Sequence, residues 1–222
     1  LLYPFWLLYR IWFYVLVTVP IIILFPFLII SIAKEQWYPL FFRLARIWSK
    51  CILIGMGFGW KIIKEEPLEK GKSYMFVANH TSMIDIMLML VSIKSNPFVF
   101  VGKKELFVFP IGWLFRVLGG APINRQSNEN KVQAIAKLFS ERDEFRMTMA
   151  PEGTRKKVKE WRTGFYYIAK EANVPIIMFT LDFENKQNKI SEPFYPTDDI
   201  KADFEFMHKF YDGVKGKIPE YF

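Results

Sequence analysis

An α/β domain carried behind an N-terminal hydrophobic element is the fold class this sequence predicts, and three observations predict it. Short apolar runs alternate with helix-like patterns from residue 74 onward, the signature of strands and helices arranged in layers. Polar, turn-forming clusters directly follow two of those runs, and the carboxyl ends of strands are where an open α/β sheet places its chemistry. Residues 1 to 60 crowd Phe, Trp, Tyr and aliphatic side chains together, and they explain an aromatic share of 18% in a chain that is 52% hydrophobic.

The first element runs from Ile11 to Ala33 without a charged side chain. At about 1.5 Å rise per residue it reaches across a hydrocarbon core of about 30 Å. Pro20 and Pro26 each remove a backbone donor inside it, which favours a kinked or re-entrant path over a straight helix. The run is too long for a signal-peptide core and no small-residue cleavage pattern follows, so the downstream domain is expected to stay cytoplasmic. The second element, Trp37 to Phe58, carries Arg43, Arg46 and Lys50 at helical spacings on one face of an otherwise apolar segment. That is how an interfacial helix reads, its cations attracting anionic headgroups. Cys51 lies within it as the single cysteine, which excludes an intrachain disulfide and a cysteine-rich zinc site; a small buried hydrophobe in a reducing compartment is expected.

Past residue 60 the composition shifts to the charged stretch Lys61 to Lys72, marking entry into a globular domain that 222 residues make large enough for one core. Strands are expected at Tyr74 to Ala78, Phe98 to Val101, Ala121 to Asn124, Arg146 to Ala150 and Pro175 to Leu181. Helices are expected at Ser127 to Phe139 and Trp161 to Ala172. A stripe of Ile200, Phe204, Met207, Tyr211, Val214 and Ile218 reads as a C-terminal helix docked on the domain. Lys and Arg total 30 against 22 Asp and Glu; the net charge of +8 suits anionic lipid, phosphorylated substrates or an acidic carrier protein. No nucleic-acid motif accompanies it.

The chemistry is expected in the turn Asn79-His80-Thr81-Ser82-Met83-Ile84-Asp85. His80 is one of two histidines and follows a strand rather than sitting on an apolar helical face. An imidazole accepts a proton near neutral pH, and a carboxylate such as Asp85 both orients it and stabilises the imidazolium. Ser82 to Asp85 also reads as a capping box, so Asp85 has a purely structural reading as well. No Gly-x-Ser-x-Gly elbow or Walker A loop is present, Gly55-x-Gly57-x-Gly59 lacks dinucleotide-binding spacing, and two distant histidines do not make a metal site. A dyad without its own nucleophile suits a reaction in which a substrate hydroxyl attacks, which is acyl transfer to an alcohol.

Binding groups are expected in Glu152-Gly153-Thr154-Arg155, after the fourth strand, and at Arg125, which ends Gly119 to Asn124. Two guanidinium groups with free backbone amides suit a phosphate dianion. The basic stretch Lys156-Lys157-x-Lys159 with Arg162, and Lys103 with Lys104, read as solvated loops or as sites attracting donor phosphates, an acidic carrier or the bilayer.

In these blocks the chain resembles the glycerolipid acyltransferases of the 1-acylglycerol-3-phosphate acyltransferase type. The matching blocks are Asn79-His80-x4-Asp85, Gly119 to Arg125, Glu152 to Arg155, and Val174-Pro175-Ile176-Ile177, in the family's order across residues 60 to 185. The resemblance implies an α/β fold with a mixed, mostly parallel sheet flanked by helices, and an N-terminal two-helix membrane element. Residues 1–60 would form that element and 61–222 the acyltransferase domain. It further implies an acyl-CoA or acyl-carrier-protein donor, a lysophosphatidic acid acceptor and no metal or redox cofactor. His80 would be the general base with Asp85 assisting. Arg125, Glu152, Gly153, Thr154 and Arg155 would form the acceptor-phosphate site, and Val174, Pro175, Ile176 and Ile177 the acyl pocket. The expected location is the cell inner membrane, facing the cytoplasm. Asn124 stands where the family usually has an acidic residue and Met178 where it usually has a second proline. A different lyso-lipid acceptor and a non-catalytic membrane subunit are the competing readings.

Overall fold

The computed structural model of the chain describes residues 3–63, 68–69, 71–93, 99–103, 121–123, 131–142 and 144–218. Helices α1 (Tyr3–Ile32) and α2 (Tyr38–Gly55) open the chain, followed by strand β1 (Lys61–Ile63), strand β2 (Tyr74–Ala78) and helix α3 (Ile84–Ser92). Strands β3 (Val99–Lys103) and β4 (Ala121–Ile123) precede helix α4 (Lys131–Ser140) and strand β5 (Arg146–Met149). Helix α5 (Gly164–Glu171), strands β6 (Ile176–Asp182) and β7 (Gln187–Ile190), and helix α6 (Ile200–Tyr211) complete it. Contacts divide the chain into two units, Leu1–Lys61 with Met83–Pro97, and Ile62–Ser82 with Phe98–Phe222. The segment carrying α3 therefore groups with the N-terminal helices rather than with the rest of residues 61–222.

In the first unit α1 and α2 form a hairpin. The indole of Trp12 donates to the Gly55 carbonyl at 2.8 Å, and that of Trp48 donates to the Val17 carbonyl at 2.9 Å. The helices approach closely there: a Cβ on Gly55 would stand 2.6 Å from a Leu16 methyl, which would have to turn aside. Helix α1 continues through Pro20 and Pro26. Each proline removes one amide from a long hydrogen-bonded ladder, and the turns on either side hold the rest. Most of its large apolar side chains are exposed, including Trp6, Ile22, Phe25 and Phe27. Among the described residues it is the one helix long and apolar enough to cross a membrane. Cys51 is exposed, not buried. The covered face of α2 runs through Phe42, Ser49, Ile52 and Leu53, and at 3.6 residues per turn Cys51 points away from it. Helix α3 packs on α2.

The second unit is built on a sheet ordered β1-β7-β6-β2-β5-β3-β4. Strands β6, β2, β5, β3 and β4 run parallel and β7 is antiparallel to β6, so the sheet is mixed and mostly parallel. The five expected strands all appear. The structure adds β1 and β7, which a hydrophobic pattern does not reveal because Lys61, Gln187 and Lys189 interrupt it. Met75, Val77, Met147, Ile176 and Met178 form one sheet face, against which α4 packs Ile135 and Phe139, α5 packs Phe165 and Ile168, and α6 packs Met207 and Tyr211. The C-terminal stripe thus docks on the domain as expected, but only as far as Tyr211; Gly213 at φ 72° turns the chain out of the helix.

Arg146 anchors the edge of the sheet away from the polar turns. It is 1% exposed, lies 3.1 Å from a Glu144 carboxylate oxygen, donates to the Glu69 carbonyl at 3.1 Å and stacks on Tyr74. Burial holds its guanidinium below the ordinary arginine range, opposed by Glu144.

Candidate active site

Strand β2 is central, with β6 on one side and β5 on the other. Its chain leaves the sheet at Asn79 and His80. Val77 pairs with Met149 on β5, and three positions beyond these partners stand His80 and Glu152. Adjacent strands lie about 4.8 Å apart. Parallel register therefore delivers the two polar turns, separated by 72 positions in the chain, to neighbouring points on one sheet edge. Val101 of β3 lies one strand further out, and β3 ends on the same edge at Lys103.

The turn carrying His80 is held on both sides. Asn79, 1% exposed, donates its amide to the Leu181 carbonyl at 3.1 Å and accepts from the Leu181 amide at 2.7 Å. Those bonds extend the β2–β6 ladder through a side chain. Thr81 is also buried, and its hydroxyl oxygen accepts from the Lys217 amide at 3.0 Å. His80 between them is half-buried. Asp85 lies in the first turn of α3 and is 2% exposed. The N-cap of that helix is Met83, so Ser82 is one position too early for the capping box the sequence suggests.

The second turn is compact. The Gly153 amide donates to the Ala150 carbonyl at 3.0 Å, and Gly153 sits at φ 63°, a conformation glycine adopts without strain. The absent side chain also leaves room for Arg162, whose amide donates to the Pro151 carbonyl at 2.7 Å; a Cβ on Gly153 would stand 3.2 Å from Arg162 Cγ and 3.4 Å from Nε. Arg162 is thereby folded onto the Glu152–Arg155 turn, a position its membership of a basic stretch does not announce. Thr154, Arg155 and Arg162 are exposed, and among the described residues neither arginine has a carboxylate partner. Glu152 is buried at 4%.

Tyr211 ties this edge to helix α6. Its hydroxyl donates to the Val77 carbonyl and accepts from the Phe179 amide at 3.4 Å. Burial holds the phenol well above its ordinary range, and the negative charge of Glu152 adds to that shift. Trp161 stacks on His208 at 4.1 Å and meets Tyr211 edge-on at 5.3 Å, fixing the segment that leads to Arg162.

Not every expected site residue reaches this edge. Arg125 lies outside the described residues, as do Asn124, Gly119, Gly120 and Lys104. Val174, Pro175, Ile176 and Ile177 stand at the start of β6, where Met75 of β2 donates to the Pro175 carbonyl at 3.0 Å. Met75 pairs with Ile176, so this block belongs to the opposite end of the strands, and Ile176 and Ile177 are fully buried. What β6 presents at the polar edge is Leu181.

A parallel sheet whose central strand ends in a histidine turn, beside a strand ending in an acidic and arginine-bearing turn, suits acyl transfer, and comparison with known proteins agrees. The acyltransferase family model matches residues 60–181, more than half of the sequence, and the chain belongs to that family. It is 28% identical over 127 residues to human 1-acyl-sn-glycerol-3-phosphate acyltransferase beta, covering 54% of this chain and 45% of that one. It is 31% identical over 110 residues to the Streptococcus pneumoniae 1-acyl-sn-glycerol-3-phosphate acyltransferase, covering 49% and 41%. The chain thus spans less than half the length of these relatives. The crystal structure of the 1-acyl-sn-glycerophosphate acyltransferase from Thermotoga maritima superposes with a TM-score of 0.74 over 92% of each chain at 20% identity, which shows the fold.

Proposed function

We propose that this chain transfers an acyl group from acyl-CoA or acyl-carrier protein to the free hydroxyl of 1-acylglycerol-3-phosphate, forming phosphatidic acid. The observation that carries the reading is the register of β2 and β5, which puts His80 and the Glu152–Arg155 turn at adjacent strand ends. In the reaction, His80 takes the proton of the acceptor hydroxyl as its oxygen attacks the thioester carbonyl carbon. The carbon–sulfur bond breaks, and the imidazolium returns the proton to the departing thiolate. General-base help contributes about 10² to 10⁴ in rate, and orientation of the acceptor supplies a further share. Asp85 steadies the imidazole and stabilises its charged form.

Arg155 and Arg162, with Arg125, bind the acceptor phosphate, and Gly153 and Thr154 offer it an open backbone and a hydroxyl. Glu152, buried in the same turn, belongs to this acceptor-phosphate site. The reaction as written draws on no metal or redox cofactor. The α1–α2 hairpin seats the enzyme in the cytoplasmic leaflet of the cell inner membrane, where the acceptor resides, with Arg43, Arg46 and Lys50 directed to headgroups.

Asn124, neutral where an acidic residue is usual, favours a second reading in which the same chemistry serves another lysophospholipid. Purified protein incubated with acyl-CoA and a panel of lyso-lipids separates the two. Thiol release with lysophosphatidic acid above all other acceptors supports the first reading, and preference for a headgroup lacking a phosphomonoester supports the second. Lipid binding without turnover of any thioester would leave a non-catalytic membrane subunit.

A further inference from the structure

We infer that the chain segment following helix α6 is a positioning element for the catalytic turn, with Thr81 and Gly216 as its contact point; the inference rests on the reading of His80 as the general base. Four observations carry it. Helix α6 is fixed at its end by Tyr211, whose hydroxyl donates to the Val77 carbonyl, three positions before His80. The chain then leaves the helix through Gly213 at φ 72° and runs back along the polar edge. The Phe183 amide donates to the Lys215 carbonyl at 2.8 Å, fastening the segment beside the end of β6. Finally, the Lys217 amide donates to the Thr81 hydroxyl oxygen at 3.0 Å, while Gly216 lies so close that a Cβ there would stand 2.5 Å from Thr81 Cγ2 and 2.6 Å from Oγ1.

Real Cβ atoms do not approach other atoms so closely, so only glycine fits at position 216 while Thr81 keeps its place. Thr81 adjoins His80, and Asn79 on the other side is fastened to Leu181. The backbone of His80 is therefore held between two side-chain anchors, Asn79 fastened to the backbone of β6 and Thr81 to that of the C-terminal segment. A displacement of about 1 Å in a general base costs about 10² in rate, so this contact acts on turnover more than on acceptor affinity, which the Glu152–Arg155 turn governs.

Steady-state kinetics on five variants of the full chain, with melting temperature in parallel, test this. Gly216→Ala is expected to lower kcat at least tenfold with the acceptor KM changed less than twofold. Thr81→Val, which keeps the shape and removes the hydroxyl, is expected to lower kcat, and Thr81→Ser, which keeps the hydroxyl, to restore it to within threefold of the parent. In the double variant Thr81→Ala with Gly216→Ala, the clashing atoms are gone, and kcat is expected to recover to that of Thr81→Ala alone. Parental kcat in either Gly216→Ala or Thr81→Val, or a loss carried by melting temperature or acceptor KM instead of kcat, would overturn the inference. If Gly216→Ala does not fold, the comparison of Thr81→Val with Thr81→Ser decides the matter alone. His80→Ala run alongside separates the two claims: activity surviving there removes the base itself, whereas an inactive His80→Ala beside an unimpaired Thr81→Val removes only the positioning role.

Discussion

The side-chain amide of Asn79 and the backbone of Leu181 hold each other through two hydrogen bonds, of 3.1 and 2.7 Å, at the point where β2 leaves the sheet. An asparagine side chain presents the same donor and acceptor pair as a peptide group, so it continues the parallel ladder while its own backbone turns away. The turn that follows inherits a fixed starting point. Asn79→Ala would strand a buried amide and a buried carbonyl at Leu181. Each buried orphan costs about 1–3 kcal/mol, so a loss of about 2–6 kcal/mol in chemical denaturation is expected, together with a fall in kcat.

Arg155 and Arg162 converge on the Glu152–Arg155 turn, and a guanidinium binds a phosphate through two parallel bonds where an ammonium supplies a point charge. Arg155→Lys and Arg162→Gln are each expected to raise the acceptor KM about tenfold or more, on the scale of a charge-assisted hydrogen bond of about 1.5–3 kcal/mol. Acceptor and donor saturation curves measure this, and the donor KM should move much less.

Gly153→Ala forces a side chain into left-handed backbone, at a cost of about 1–2 kcal/mol, and crowds the Arg162 stem at 3.2 Å. A lowered melting temperature combined with a raised acceptor KM is expected. A change in stability without any change in acceptor binding would detach Arg162 from the phosphate.

Tyr211 and Tyr166 set an alkaline limit on stability. Burial raises both phenols in the folded chain, with Glu152 adding to the first and the Asp203 hydrogen bond to the second. The folded state therefore keeps protons that the unfolded state releases above about pH 10. The stability these groups contribute is fully present below that value and falls as pH rises through it, by about 1.4 kcal/mol per pH unit for each phenol. Urea melts between pH 8 and 11 should show a steeper decline in the parent than in Tyr211→Phe.

Ile177 is buried at the start of β6, remote from the edge that carries His80. Ile177→Ala is expected to cost about 2–5 kcal/mol of stability as a core cavity. Acyl-length preference, read from competition among thioesters, should stay unchanged.

Strands β2 and β6 were legible because they are buried along their length, and strands covered on both faces read as near-continuous apolar runs; β5 was legible from Met147 and Met149 although Arg146 and Thr148 alternate with them. The two polar turns of the candidate site were legible as clusters closing those runs. Strand β7 was not, since its buried positions are Asn188 and Ile190, and a buried asparagine breaks an apolar alternation. Asp203 hides in the same way. It reads as a solvated helix charge, yet it is buried and accepts from the Tyr166 hydroxyl at 2.8 Å and the Thr197 amide at 2.7 Å. Cys51 reversed its expected burial because composition gives the character of a helix and not which face is covered. The contacts of Thr81 with Gly216 and of Gly153 with Arg162 depend on tertiary approach, which a hydropathy pattern does not encode.

Release of free thiol from acyl-CoA, followed with purified protein in the presence and absence of lysophosphatidic acid, tests the central claim most directly. Release is expected to depend on the acceptor and to fall by at least about 10² in a well-folded His80→Ala variant. Acceptor-dependent release undiminished in that variant would contradict it.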